Sequence, residues 1–371
     1  MLTNAVCLLV SMILGIEVNA LARTQYTGVE NYVFELISEM KKLPLRDSER
    51  VFLYSSEVIA GLGDLPTGWE WKILKLPLIK KGWTHLRLSF ELLVNPPDIF
   101  FSPAHEIPLG ALRTTIVNTI HDIAFVHVPE VYTFFVRLRQ RLAIWWAVRV
   151  ADKILCVSET TCDDLVSVYK VPVNRIRITR LGMRRIGIES NVRLPHYLLT
   201  IGRVETKKNI EFLIDVFDAY CALHPKSDLM LKIAGKPGDG ADRIMERIKG
   251  SEFKDRIEVL GYVEDMNDLL SGAWAYTFPS SYEGFGLPAL EAMDAGVPVI
   301  ASDIPALREV CADSAIFASP TDADAWIDAL EAMTDDQRAL LIRKGYERIK
   351  FFSWEKTAQK TWKAIRDVCK I

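Results

Sequence analysis

Glu283 and Glu291 are separated by seven residues, and Gly284-Phe285-Gly286-Leu287-Pro288 lies between them. The apolar run before them ends at Phe278. This order reads as a strand, a glycine-bearing loop and a helix with Pro288 in its first turn, where a missing N–H costs nothing. Loop amides at a helix N-terminus favour an anion. Glu283 stands at the strand's carboxyl end, facing any cleft, and Glu291 sits a turn into the helix. One carboxylate suits the hydroxyls of a ligand and the other a ribose. A second group is Gly202-Arg203-Val204-Glu205-Thr206-Lys207-Lys208-Asn209. Arg203 and Lys208 flank a strand-to-helix turn, so both can reach one point, as a pyrophosphate clamp requires. His121 and Asp122 follow another apolar run, Thr115–Ile120. Gly28, in Thr27-Gly28-Val29-Glu30-Asn31-Tyr32, lets backbone approach a phosphate or sugar closely. Each feature alone has a plain structural reading: a capped helix, solvated cations, a satisfied histidine, a tight turn.

Together these residues resemble a known family. Glu283-x7-Glu291 is similar to the E-x7-E motif of retaining glycosyltransferases of the family-4 type, which have the GT-B fold. The run Ala295-Gly296-Val297-Pro298-Val299-Ile300-Ala301-Ser302-Asp303 resembles the same family's G-x-P-V-I-A-S. The resemblance extends from Glu17 to about Trp362. It implies that Arg203 and Lys208 hold the donor phosphates, Lys207 being the lesser member. It places Gly28 beside the donor phosphate and His121 beside the donor sugar and the scissile bond. His121, Glu283, Arg203 and Lys208 are thereby the catalytic set. Glu291, the loop Gly284, Phe285, Gly286 and Leu287, and Val263 after Tyr262 become substrate-binding residues. The surroundings of His121 and of Thr27–Tyr32 look like those of bacterial mannosyltransferases of polysaccharide synthesis. The implied activity is a retaining, metal-independent hexosyl transfer without a cofactor. The first donor is GDP-mannose, with UDP- or ADP-sugars as others, and the acceptor is a glycan or lipid-linked. The implied location is cytoplasmic, peripheral at the inner membrane face. A sugar-nucleotide epimerase, a phosphorylase and an inactive GT-B binding protein are the alternatives. The intact set of five charged and imidazole groups speaks against decay.

The elements that must position these residues alternate. Strands are expected at Ile13–Val18, Val51–Ser55, Trp71–Leu76, Ile99–Ser102, Thr115–Ile120 and Ile154–Val157. Helices fall at Val29–Lys42, Leu86–Val94, Tyr132–Val150 and Thr161–Tyr169. After an irregular stretch the pattern restarts, with strands at Tyr197–Ile201, Leu229–Ala234, Ile257–Leu260, Ala273–Phe278 and Val297–Ala301. Helices are expected at Ile210–Leu223, Ala241–Lys249 and Ala289–Ala295, and further helices close the chain. Such alternation predicts parallel sheets with helices on both faces. The expected architecture is α/β, two doubly wound Rossmann-like domains facing a cleft. The first spans 1–185 on the acceptor side and the second, 186–353, binds the nucleotide sugar. A terminal helix over 354–371, capped by Ser353, packs back on the first. In such sheets ligands sit at the carboxyl ends of the strands.

Composition narrows the function. The chain has 371 residues and a net charge of -3, which gives no whole-chain case for nucleic acid. The first half has a slight basic excess and the second an acidic one. Six scattered cysteines lack metal or staple spacing and read as reduced thiols. No P-loop, dinucleotide fingerprint, HExxH or nucleophile elbow occurs. No DxD-like pair stands at an expected strand end: Asp163-Asp164 and Asp335-Asp336 fall at helix starts. The run Val6–Ile16 is short for a span and has no basic residue before Arg23, so a buried first strand is favoured over a signal or anchor. His105 and His127 are expected on surface or loop. Ser158 is expected to cap a helix. The helix with Arg137, Arg139, Arg141, Arg149, Trp145 and Trp146 has two readings. Either it packs one face and solvates its basic side, or it rests on an anionic membrane.

Overall fold

The computed structural model describes residues 12–23, 25–75, 82–185 and 197–368. The junction expected near 182–195 lies largely outside them, as do Cys7, Cys369 and the segment before Met12. The described strands are β1 (Met12–Glu17), β2 (Glu49–Ser55), β3 (Trp69–Ile73), β4 (Ile99–Ser102), β5 (Thr115–Ile120), β6 (Lys153–Cys156), β7 (Ile176–Ile178), β8 (Tyr197–Ile201), β9 (Met230–Ala234), β10 (Ile257–Gly261), β11 (Ala275–Phe278), β12 (Val299–Ser302) and β13 (Ala315–Ala318). The helices are α1 (Gly28–Met40), α2 (Ser89–Val94), α3 (Ala124–His127), α4 (Phe134–Val150), α5 (Glu159–Tyr169), α6 (Ile210–Leu223), α7 (Ala241–Lys249), α8 (Asn267–Ser271), α9 (Leu287–Asp294), α10 (Pro305–Cys311), α11 (Ala323–Glu331), α12 (Asp335–Ile349) and α13 (Trp354–Val368).

Two parallel sheets result. Their strand orders are β3-β2-β1-β4-β5-β6-β7 and β10-β9-β8-β11-β12-β13. Each order reverses direction at one point, between β1 and β4 and between β8 and β11. A crevice opens at such a switch point because successive connections leave to opposite faces. Strands covered on both faces read as continuous apolar runs. The packing shows why. Ile99 and Phe101 enter one core while Phe100 enters another, and Val117 and Ile116 divide likewise. In the second sheet Leu199, Tyr276 and Val299 join the first of these cores, whereas Leu198, Ala275 and Ile300 form a third. One core is therefore shared by a face of each sheet.

Helix α13 enters that shared core. Trp354, Ala358, Trp362 and Ile365 recur on one face and are buried, as an amphipathic helix requires. Trp362 meets Trp69 edge-on at 6.5 Å, and Trp354 lies 6.0 Å from Tyr32 of α1. Arg366 binds both oxygens of Glu49, at 2.9 and 2.6 Å.

Two strands were not legible. β7 is a three-residue edge strand, Ile-Arg-Ile, within a basic stretch, and β13 is the alanine-rich Ala-Ile-Phe-Ala. Each strand is only three or four residues long, too short to stand out as a strand.

Candidate active site

Most of the singled-out residues lie after the strands that border the two switch points, whereas Val263 follows the edge strand β10. Residues after β1 begin α1, and Thr27 N–H donates to Glu30 at 3.0 Å across its first turn. Residues after β8 form the turn to α6, and residues after β11 form the loop to α9. His121 follows β5, beside β4.

Glu283 and Lys208 meet directly. Lys208 Nζ donates to Glu283 Oε1 at 2.6 Å, and both side chains are nearly closed to solvent. Burial alone would raise the Glu283 carboxyl, but Lys208 and then Lys207 outweigh it and hold it below its ordinary value. Glu291 has no such neighbour, and burial raises its carboxyl. Two carboxylates eight positions apart thus differ in charge tendency, because cations surround only one.

The Glu283 loop lies against the first sheet's loops. A Cβ on Gly284 would stand 2.2 Å from the His121 carbonyl oxygen, so only glycine fits. Thr161 Oγ1 donates to that carbonyl at 3.0 Å, and the Gly284 carbonyl is 3.4 Å away. Gly286 precedes α9 with φ of 126°, a region that favours glycine. The amides of Gly284, Phe285, Gly286 and Leu287 have no acceptor among the described residues. The Phe285 side chain does not line the cleft; it is buried in the core, edge-on to Phe352 at 5.7 Å. Leu287 and Val263 also pack against that core.

His121 is held tightly. Its Nε2–H donates to the Pro103 carbonyl at 2.9 Å, which leaves Nδ1 as an acceptor in the neutral ring. The Tyr32 ring meets it edge-on at 4.7 Å. Burial, then His105, pushes its pKa down to about 4. The ring is neutral at physiological pH, suited to accept a hydrogen bond from a hydroxyl. Asp122 does not touch it. Asp122 Oδ1 instead accepts from Ala124 N–H at 3.0 Å, in the turn that leads into α3. Ser158 caps α5, as expected, by accepting from Thr161 N–H at 3.0 Å.

One expectation changes. Arg203 does not converge with Lys208. Its side chain is 58% exposed and turns to Glu205, 3.7 Å away, so it stands at the rim. At Gly28 a Cβ would meet no heavy atom of the protein within 4 Å, so the space before α1 is open. His105 lies in the loop after β4 and His127 is exposed at the end of α3, as expected, but both have ring partners near the site. The His105 ring is 5.6 Å from that of His121, and its Nδ1 is buried without a partner among the described residues. His127 Nε2 is 2.8 Å from Asp164, and its ring stacks on Tyr282 at 5.0 Å. Lys207 is also more deeply placed than the sequence implied, reaching toward Asp122 at 3.9 Å. Tyr282, beside Glu283, is the one local signal for these contacts, since an aromatic in a strand-end loop needs a partner.

Two doubly wound sheets thus bring cationic and carboxylate loops against each other at the carboxyl ends of their strands. The profile described as "Glycosyl transferases group 1" matches residues 190–348, and that described as "Glycosyltransferase Family 4" matches residues 26–183. The O-antigen chain mannosyltransferase B of Escherichia coli is 31% identical over 369 residues, covering 92% of this chain and 96% of that one. The O-antigen chain mannosyltransferase RfbU of Salmonella typhimurium is 29% identical over 251 residues, covering 67% and 68%. Among solved structures, a sucrose-phosphate synthase from Thermosynechococcus elongatus superposes with a TM-score of 0.73 at 18% identity, covering 96% of this chain and 99% of that one. WaaG, a glycosyltransferase involved in lipopolysaccharide biosynthesis, gives 0.72 at 15%, covering 97% and 100%. The fold is GT-B. The chain belongs to the family-4 glycosyltransferases and is a hexosyltransferase.

Proposed function

We propose that the protein transfers mannose from GDP-mannose to a glycan or lipid-linked acceptor in the synthesis of an O-antigen-like cell-surface polysaccharide, with retention and without a metal. The carrying observation is the Lys208–Glu283 pair, set in a loop pressed against the His121 backbone. The likeness to the two O-antigen mannosyltransferases supports the sugar and the pathway class.

In this reading Glu283 binds the sugar hydroxyls and His121 Nδ1 accepts from another. Lys208 and the amides of Gly284–Leu287 meet the charge that develops on the leaving diphosphate, since preorganised donors stabilise an anion as it forms, and Arg203 turns in from the rim to join them. Gly28 leaves room for a phosphate or sugar oxygen at the start of α1. Glu291 binds the ribose, and backbone at Val263 lines the base. Neither His121, neutral and tied to Pro103, nor Glu283, paired to Lys208, is set to attack the sugar. The acceptor then enters from the side the diphosphate leaves, and the diphosphate takes its proton. Nucleoside-diphosphate release from GDP-mannose, against UDP- and ADP-sugars, tests the donor. Activity that persists in a chelator and a product keeping the donor's anomeric configuration by proton NMR support the mechanism. An inverted product, or activity lost in chelator and restored by manganese, overturns it.

A second part of the reading concerns location. No described helix is long and apolar enough to cross a membrane. Helix α4 buries only Ile144, Ala147 and Val148 and exposes Phe134, Phe135 (80% exposed), Leu138, Leu142 and Trp145. Arg149 stacks on Trp145 at 4.3 Å. We assign this basic, aromatic face to an anionic lipid surface. Co-sedimentation with phosphatidylglycerol vesicles, weak with phosphatidylcholine and weakened by Phe135→Ser, is expected. Equal binding to both lipids rejects it.

A further inference from the structure

We propose that Lys207 and Asp122 form a positioning pair across the cleft, which seats the His121 loop of the first sheet against the Glu283–Gly284 loop of the second. The inference rests on the glycosyl-transfer reading of this site and adds residues to it.

Three observations carry it. First, Lys207 Nζ lies 3.9 Å from Asp122 Oδ2, and the Lys207 side chain is only 15% exposed. A buried ammonium this far from water needs a counter-charge. Second, both partners are fixed at their backbones to the loops they would bring together. The Lys207 carbonyl accepts from Ser281 N–H at 3.1 Å, two residues before Glu283. Asp122 follows His121 directly and is anchored by Ala124 N–H. A movement of either charge therefore moves a reacting-site loop. Third, the approach has no slack, because Gly284 already touches the His121 carbonyl with glycine's minimum bulk.

The charges around Lys207 come from both sides. Burial works against its ammonium, yet Asp122 and Glu283 outweigh it and hold its pKa above the lysine range. Lys207 stays charged at any working pH. Asp122 is opposed by burial and favoured by Lys207 first, so it stays ionised. The pair is a permanent link rather than a proton switch. It differs from Lys208, whose ammonium is taken by Glu283 and which lies nearer the donor phosphates in the proposed reading.

A double-mutant cycle of Lys207→Met and Asp122→Asn tests this. Met keeps the stem, and Asn keeps an oxygen for the Ala124 amide. Each single change is expected to lower kcat about tenfold or more while GDP affinity stays within about twofold. The double variant is expected to be no worse than the worse single, as coupled residues show. Lys207→Arg restores most of kcat. Small-angle scattering gives a readout without turnover: ligand-free Lys207→Met has a larger radius of gyration than the parent. Additive losses in kcat, a loss of GDP affinity equal to the loss in kcat, or identical scattering profiles would overturn the pair. Absence of turnover by the parent with every nucleotide sugar would instead defeat the proposed function, and scattering would still decide the pair.

Discussion

At the residue scale, charge tendencies follow burial and its exceptions. Glu17 ends β1, is 5% exposed and has its pKa raised to about 7, first by burial and then by Glu106. His121 is pushed to about 4. Their effects on stability oppose each other. The unfolded histidine binds a proton that the folded one refuses, so stability falls as pH drops from 6.5 toward 4. The unfolded glutamate releases a proton that the folded one keeps, so stability falls as pH rises from 4.5 toward 7. Each window is worth at most about 3 kcal/mol. Glu17→Gln is therefore expected to leave stability unchanged near pH 4 and to raise it by up to about 3 kcal/mol at pH 8. Urea unfolding at both pH values checks this, and an equal effect at both rejects it. The two glutamates of the loop should also separate. Glu283→Gln is expected to cut turnover about ten- to hundredfold, as loss of a charged hydrogen bond does, with little effect on GDP affinity. Glu291→Gln is expected to weaken GDP and GDP-mannose alike. Indistinguishable effects on all ligands would reject that division. Residue types and spacing singled out Glu283, Lys208 and His121, which the fold brings onto neighbouring loops, because each stands within a short recognisable run. The parts of His105, His127 and Lys207 were hidden, because each depends on a partner remote in sequence.

At the scale of elements, two glycines separate fit from function. Gly284→Ala drives a methyl into the His121 carbonyl, so the loop must shift. A loss of about 1–3 kcal/mol and a large loss of turnover are expected. Gly28→Ala meets nothing within 4 Å, so stability is expected to stay within about 0.5 kcal/mol. Donor affinity should still fall, because the methyl takes the space given to a phosphate or sugar oxygen. Isothermal titration beside thermal unfolding distinguishes them, and unchanged donor affinity in Gly28→Ala would remove that loop from the donor site. The strands around these glycines were legible through their unbroken apolar runs. The edge strands β7 and β13 were not, since an edge needs pairing on one side only and tolerates a weak sequence. Helix α4 had two readings because its pattern mixes bulk and charge all round. The structure leaves Phe134, Phe135 and Trp145 exposed and half-buries Trp146, which no periodicity could decide.

At the scale of the whole molecule, the shared core makes the two sheets one cooperative unit. Calorimetry is expected to show a single unfolding transition. Saturating nucleotide at about a hundred times its Kd should raise the whole transition by about 2.7 kcal/mol. Two transitions, only one of them moved by nucleotide, would show the sheets to be independent. Trp362→Ala should cost about 3–5 kcal/mol, although it lies far from the site. Trp362 Nε1–H donates to the Met40 carbonyl, 322 residues earlier. That contact sets a timetable for synthesis. Domains emerge from the ribosome in order and begin to fold as they appear. Here the first sheet is made early, but the face holding Tyr32 and Trp69 is covered by α13, which is translated after both sheets. Until α13 clears the exit tunnel, that face remains open to chaperones, and a chain stopped before Trp354 never closes it. The bond from Trp362 to Met40 thus makes synthesis through α13 a condition for an assembled enzyme.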